Sequence, residues 1–367
     1  MAPVFPPAIP NIDYGGRIRG VLKLQNPQAP KQMNVPGQEI TADMYMSGQV
    51  HRYFKWLVSV EMSYKGVAGE SQAGAVEPLD LIARFEPMPE FNIYLGRMLV
   101  VVDRFAPSGP WGVDEFFFPG FFPLIGPPAL PKAGPIGRDV GTSIWGAPLK
   151  GHIKYYVGMF NLNNPNPGAH PPSNPLFNAR LQVSLLNGEP NWFHRATYYG
   201  SKDLISAGVG TEYQRGGSAQ QPAPPPAAGM PAPPPPKRDD YQVVHGDVTA
   251  EKNIGNAGTA SLIGEYTKFI GDYNPWKNFM LVEAGYMLPE PIGIGKPRIS
   301  ARYQRALAQP PGAKASQVID VQLSYLIAAW YARLGLGYRH GDSWLAAAPA
   351  ATKPSNMLYL GVIVGDP

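Results

Sequence analysis

Cysteine is absent from the 367 residues, which excludes thiolate metal sites, disulfide frameworks, attached c-type haem and cysteine nucleophiles together. It also suits a chain that crosses an oxidising compartment unfolded. No apolar run reaches the roughly 18 residues of a transmembrane helix. Charge is sparse at 16% of residues and mildly balanced, 31 Lys and Arg against 27 Asp and Glu for a formal +4. No basic cluster with interleaved aromatics accompanies it, so nucleic acid is not expected as a partner.

The usual signatures of catalysis are missing too. The histidines His51, His152, His170, His194, His245 and His340 form no HExxH or other close ligand pair. No GxSxG occurs, and GIGK at Gly293–Lys296 lacks both the spacing and the following helix of a phosphate loop, so it reads as a turn. Neither enzyme activity, a metal nor a cofactor is expected. The opening MAPVFPPAIP has no basic start or continuous apolar segment of a secretory signal, so an exported chain is expected to be numbered from its mature form.

What is present is strand alternation. In Lys55–Lys65, Trp56, Val58, Val60, Met62 and Tyr64 alternate with Lys55, Ser59, Glu61, Ser63 and Lys65. Ala179, Leu181 and Val183 oppose Arg180, Gln182 and Ser184 in the same way, and Ile299, Ala301 and Tyr303 oppose Arg298, Ser300 and Arg302. One face is apolar and the other wet. A soluble sandwich also alternates, but these segments exceed the usual soluble strand of about 5–6 residues. Aromatics gather at their ends, and no helix is available to cover a sheet. The pattern predicts an all-β chain, a transmembrane antiparallel β-barrel of about sixteen strands, apolar outward and polar inward.

The sixteen segments are read at 12–25, 39–50, 53–66, 77–87, 91–105, 137–148, 152–162, 176–187, 197–215, 240–254, 258–271, 278–289, 296–308, 316–329, 331–342 and 355–365. An even count returns both ends to the periplasmic side, where the short connections also fall. Residues 1–367 then form a single outer-membrane barrel. Two of the long external connections stand apart. Residues 216–239 contain a Pro/Ala-rich run, Gly216–Pro236, that can only be extended or polyproline-like. Residues 106–136 hold the dense Phe/Pro stretch Trp111–Pro135, and this third external loop is expected to fold inward and constrict the pore. The constriction is assigned to Trp111, Asp114, Glu115, Phe116, Phe117, Phe118, Phe121, Phe122 and, just beyond the loop, Arg138.

Alternation turns Arg17, Arg19, Lys23, Lys55, Arg84, Lys154, Arg180, Arg298, Arg302, Arg333 and Arg339 into the lumen, against the acids Glu61, Asp80, Glu86, Glu212, Glu265, Glu283 and Asp320. A cationic excess inside a low-dielectric wall raises the local concentration of anions, which predicts a mild anion preference. The alternative is that these groups pair across the lumen and stiffen the wall without selecting anything.

The order of features resembles the phosphate-selective porin O/P family of sixteen-stranded outer-membrane porins. The likeness rests on GGRIRG (Gly15–Gly20), FNIYLGRM (Phe91–Met98) before the long loop and GRDVG (Gly137–Gly141) after it. YVGMFN (Tyr156–Asn161), YYGSKDLISAGVGTEYQ (Tyr198–Gln214) and ISARYQRA in a late strand continue it. The resemblance implies a homotrimer of water-filled channels in a Gram-negative outer membrane, in contact with lipid and lipopolysaccharide, passing small solutes and anions. Arg97 and Arg138 match motifs on either side of the loop. Phe residues dominate the loop where a phosphate filter would offer cations, so a size filter with an apolar lip is expected. Two other readings remain: a channel for hydrophobic or aromatic solutes, with Trp111, the Phe residues and Leu124 at its mouth, and a structural barrel that docks a partner protein.

Overall fold

A sheet that alternates at period two carries one apolar and one polar face, and closing it into a barrel removes its exposed edges. The chain takes that solution. Its computed structural model describes residues 11–25, 35–67, 73–109, 111–117, 119, 137–161, 174–219, 237–272, 276–308, 315–341 and 355–366. The wall opens with β1 (Asn11–Gln25), β2 (Val35–His51), β3 (Phe54–Val67) and β4 (Ala73–Met88). Four shorter strands follow: β5 (Phe91–Leu99), β6 (Arg138–Gly146), β7 (Ile153–Asn161) and β8 (Leu176–Ser184). Next come β9 (Leu204–Ala219), β10 (Arg238–Asn253), β11 (Thr259–Ile270) and β12 (Trp276–Met287). β13 (Lys296–Ala308), β14 (Ser316–Leu326), β15 (Ala332–Gly341) and β16 (Ser355–Gly365) complete it.

Each strand pairs antiparallel with its neighbours in sequence, and β1 closes on β16 from Arg17↔Gly365 to Gln25↔Met357. Past the end of that ladder, the Gly16 N–H donates to the Asp366 carboxylate and the Asp366 N–H to the Gly16 carbonyl, tying the two chain ends together at one rim. Ile18, Leu22, Leu181, Val209, Ile299, Leu323 and Leu360 lie on an apolar outer face, all more than 45% exposed. Arg180, Gln182, Arg298, Arg302 and Gln322 point inward and are buried. Among the described residues no helix is long and apolar enough to cross a membrane.

All sixteen expected strands are present; most boundaries shift by up to four residues, and two move further. The fifth was expected to run to Phe105 and stops at Leu99; the ninth was expected from Ala196's neighbour Thr197 and starts at Leu204. At both places the chain leaves the wall and enters the lumen. The connection between the eighth and ninth strands, at the rim that carries the chain ends, was expected at 188–196 and runs from 185 to 203. Phe118, Phe121, Phe122, Leu124 and most of the Pro/Ala-rich stretch lie outside the described residues.

Candidate permeation pathway

Two lumenal segments define the interior. The first begins where β5 ends. Val100, Val101, Val102, Asp103, Arg104, Phe105 and Ala106 are all buried. The carbonyls of Val101 and Val102 accept from Asn178 Nδ2 (2.7 Å) and Arg180 Nη1 (3.3 Å) on β8. Asp103 Oδ1 accepts the Ala106 N–H at 2.6 Å, starting a short turn over Ala106–Ser108. Burying these backbone groups is tolerable because wall side chains satisfy them.

Further on, residues 111–117 are pinned by β13, β14, β15 and β16. Asp114 accepts from Arg298 Nε at 2.8 Å and from the Tyr199 hydroxyl at 3.1 Å, and its carbonyl accepts from Arg333 Nη1 at 2.6 Å. Burial alone would raise the Asp114 carboxyl, but Arg298 and then Arg333 outweigh it and hold it below its usual range. Glu115 pairs with Arg302, which also donates to Glu283 at 3.0 Å. The Phe116 N–H donates to Gln322 Oε1 at 3.0 Å. The Phe116 ring lies flat on the wall over Gly335 of β15 and Gly361 of β16, which are register partners; a Cβ at either would run into the ring. Phe117 meets Tyr359 edge to face at 4.8 Å.

The second segment, 185–203, escaped sequence reasoning. Glu189 is fully buried against Arg104, at 2.5 Å, and also accepts from Gln182 Nε2 and the Tyr198 hydroxyl. His194 stands between Lys154, which donates to Nδ1 at 3.0 Å, and the Arg104 carbonyl, which accepts from Nε2 at 3.2 Å. Burial, then Lys154 and Arg104, keep that imidazole well below its ordinary pKa and therefore neutral. Burial opposes ionisation of Glu189, yet Arg104 and the neighbouring cations hold it well below the usual carboxylate range. Glu251 of β10 collects three donors: Thr197 Oγ1, the Tyr198 N–H and the Gly200 N–H. Trp192 packs among Tyr94, Trp145 and Tyr156.

These two segments bind each other. The Ala196 N–H donates to the Gly112 carbonyl at 2.9 Å, Arg104 Nη2 donates to the Arg195 carbonyl at 2.7 Å, and Arg104 bridges to Glu189. One hint of the second segment was legible: Gly188 and Pro190 interrupt the alternation just before the aromatic run Asn191–Tyr199.

The space they leave follows β1 to β6. A cavity of about 520 Å³ is lined by Arg17, Asp43, Asp80, Arg138, Trp111 and Arg195, among others. It shares Tyr45, Leu57, Arg84, Pro190, Asn191 and Phe193 with a second cavity of about 820 Å³ that reaches Lys55, Glu86 and Trp145.

Of the residues assigned to a constriction, Trp111 borders this space, with the Arg17 guanidinium 4.7 Å over its ring, and Arg138 borders it bound to Asp80 at 2.9 Å. Asp114, Glu115 and Phe116 are buried and serve as attachments to the wall. All eleven predicted inward cations do face inward, but every one except Lys154 lies in an ion pair, including Arg19 and Lys23 with Glu39, Lys55 and Arg84 with Glu86, Arg180 with Asp247 and Arg339 with Asp320. The expected cationic excess is offset by acids beyond the seven predicted ones: Glu39, Asp43, Asp103, Asp114, Glu115, Glu189, Asp247 and Glu251 also face the lumen, and those on loops have no strand parity to reveal them.

No family model matches the chain, and no curated protein does; the O/P family is not shown. Solved structures resemble it over almost its whole length. OprB of Pseudomonas putida at high pH is 8% identical with a TM-score of 0.64, covering 97% of this chain and 94% of its own. The anion-selective porin of Comamonas acidovorans is 13% identical with a TM-score of 0.58, over 97% and 100%. OmpT of Vibrio cholerae in its trimer form is 14% identical with a TM-score of 0.57, over 97% and 99%. At these identities the likeness shows the fold.

Proposed function

We propose that this barrel is an outer-membrane porin, a passive water-filled channel for small hydrophilic solutes, with its apolar outer face in contact with lipid and lipopolysaccharide. The observation that carries this reading is the pair of adjoining cavities along β1 to β6, which share lining residues and are bordered on one side by wall ion pairs and on the other by the segments 100–117 and 185–203. The first segment, which runs into the inward-folded loop 106–136, and the second together set the size limit. No turnover chemistry is needed; the gradient drives flux.

A mild anion preference is part of the proposal, carried by fewer residues than the full set of inward cations. Along the first cavity Arg17 is matched by Asp43 and Arg138 by Asp80, while Glu189 is matched by Arg104. Arg84 shares Glu86 with Lys55, and Arg195 and Lys202 border the cavity with no carboxylate in ion-pair range among the described residues. Field from these three is focused by the narrow passage. In planar bilayers under a salt gradient the reversal potential should favour anions and shift toward neutrality in Arg195→Ala/Lys202→Ala; cation selectivity of the unaltered protein would remove the proposal. Phosphate preference has no particular support, since no cluster of free guanidinium groups lines the described passage.

Trp111, Tyr94, Trp145, Trp192 and Phe193 border the same space and favour a second reading, passage of aromatic solutes. Liposome swelling with graded sugars separates the two, because the second predicts no sugar entry. A homotrimer is proposed from the likeness to a trimeric barrel and from small outward residues such as Gly264 and Ala284, and migration of an unheated sample on a gel tests it.

A further inference from the structure

Two buried groups of acids lie in the lumen away from the open space, and they differ in one respect. Asp114, Glu115 and Glu283 bring ligand atoms within 4.8 Å of one another, but Arg298, Arg302 and Arg333 already surround them. Asp103, His245 and Glu265 are equally close, and none of them is in an ion pair among the described residues. Glu265 on β11 is the register partner of Asp247 on β10, so two carboxylates oppose each other across the ladder, an arrangement that is unfavourable without a counter-charge. Arg180 supplies one counter-charge and spends it on Asp247, which it grips with both nitrogens at 2.5 and 3.0 Å. Asp103 and Glu265 are left without an ion-pair partner of their own among the described residues.

The hydrogen bonds around His245 decide what it offers. Thr267 Oγ1 lies 2.9 Å from His245 Nδ1 and 3.4 Å from Glu265 Oε1. With its one proton directed to Glu265, the Thr267 hydroxyl accepts from His245 Nδ1–H, and in that tautomer Nε2 carries the bare lone pair. His245 Nε2 and Glu265 Oε2 are buried and have no hydrogen-bond partner, and both residues are at least nine-tenths buried. An imidazole oriented through its other nitrogen by a side-chain oxygen is how a histidine is prepared to bind metal.

We propose that Asp103, His245 and Glu265 form a binding site for a first-row divalent cation of the zinc type. One imidazole nitrogen and two carboxylate oxygens suit zinc, whereas calcium and magnesium seek oxygen alone. Ligands on one zinc stand roughly 3.3–3.5 Å apart at bond lengths near 2 Å, so atoms that lie within 4.8 Å of one another must draw together on binding, a movement the loop residue Asp103 can contribute to. The ion would clip the start of segment 100–117 to β10 and β11, and this holds whether or not the barrel conducts.

The test uses the purified, folded barrel stripped with EDTA and titrated with zinc chloride by calorimetry, with retained metal counted by mass spectrometry after gel filtration. One zinc per chain is expected, together with a higher unfolding temperature in its presence. His245→Gln and Glu265→Gln should each weaken binding by more than about tenfold, the lower end of what even outer-shell changes cost a metal site. His340→Gln, at the exposed end of β15, should bind as the unaltered protein does. Heat-dependent gel mobility reports that each barrel is folded, and Asp103→Asn, in a loop, supplies a variant that leaves the wall intact. No saturable equivalent of zinc in the unaltered protein, or equal affinity in the His245, Glu265 and Asp103 variants, overturns the proposal.

Discussion

The lumen has two unlike halves. Along β8 to β16 the inner wall is covered by chain, and its charges are consumed in fully buried pairs such as Arg180–Asp247, Arg298–Asp114 and Arg302–Glu115. Along β1 to β6 the pairs Arg17–Asp43 and Lys55–Glu86 keep partial exposure and border open space. The same residue types therefore do different work. In the covered half a guanidinium fastens a loop; in the open half it borders a cavity, where under the proposed function it would shape the field that a solute meets. A buried pair is costly to break, because removing one member strands a charge, whereas a partly exposed pair contributes little.

The sharpest way to break this contrast is to free the covered half. Arg104→Ala leaves Glu189 buried and unpaired, at a cost of about 3–5 kcal/mol, and also removes the donor to the Arg195 carbonyl. Both segments should loosen, and single-channel conductance should rise with added noise; unchanged conductance would show that the segments do not limit flow. A more local change is Phe116→Ala, which empties the slot over Gly335 and Gly361 at about 3–5 kcal/mol for a well-packed ring. Only the β15–β16 attachment is lost, so a smaller rise in conductance is expected, with β-sheet circular dichroism unaltered.

The smallest effect concerns pH. His194 in the folded barrel has its pKa depressed far below the ordinary 6.5, so the unfolded chain binds a proton that the folded chain refuses. Stability from this group is present above about pH 6.5 and is lost as pH falls below it. Glu189, also depressed, adds stability that persists until pH drops below the ordinary carboxylate range. Between pH 7.5 and 5.5 the unfolding temperature should therefore fall, and His194→Gln, which can still accept from Lys154 and donate to the Arg104 carbonyl, should abolish most of that fall.

The two halves also differ in how far they could be read from sequence. The wall was legible because a closed sheet imposes period two on every strand, and runs such as Arg180–Ser184 and Arg298–Tyr303 show it without interruption. The covered half obeys no period. Val100–Val102 continue the apolar character of β5 beyond Leu99, and Thr197–Tyr199 imitate the start of β9, so alternation could not say where chain leaves wall. The Phe/Pro run was recognisable as a lumenal loop, yet its chemistry was not. Phe116 was expected to face the solute, and what decides otherwise is a pair of glycines more than two hundred residues away in the chain.

That separation bears on how the molecule comes to be assembled. Asp114 meets Arg298 across 184 positions and Val113 meets Arg333 across 220, while each wall ladder except β1–β16 joins neighbours in sequence. Contacts between distant residues carry the larger loop-closure entropy and form late. The wall can thus zip up strand by strand, whereas Arg298 and Arg333 find their partners only once the circle has nearly closed. Until then Asp114 and Glu115 are hydrated carboxylates in a wide cylinder, and the filling of its β13–β16 side comes late in folding.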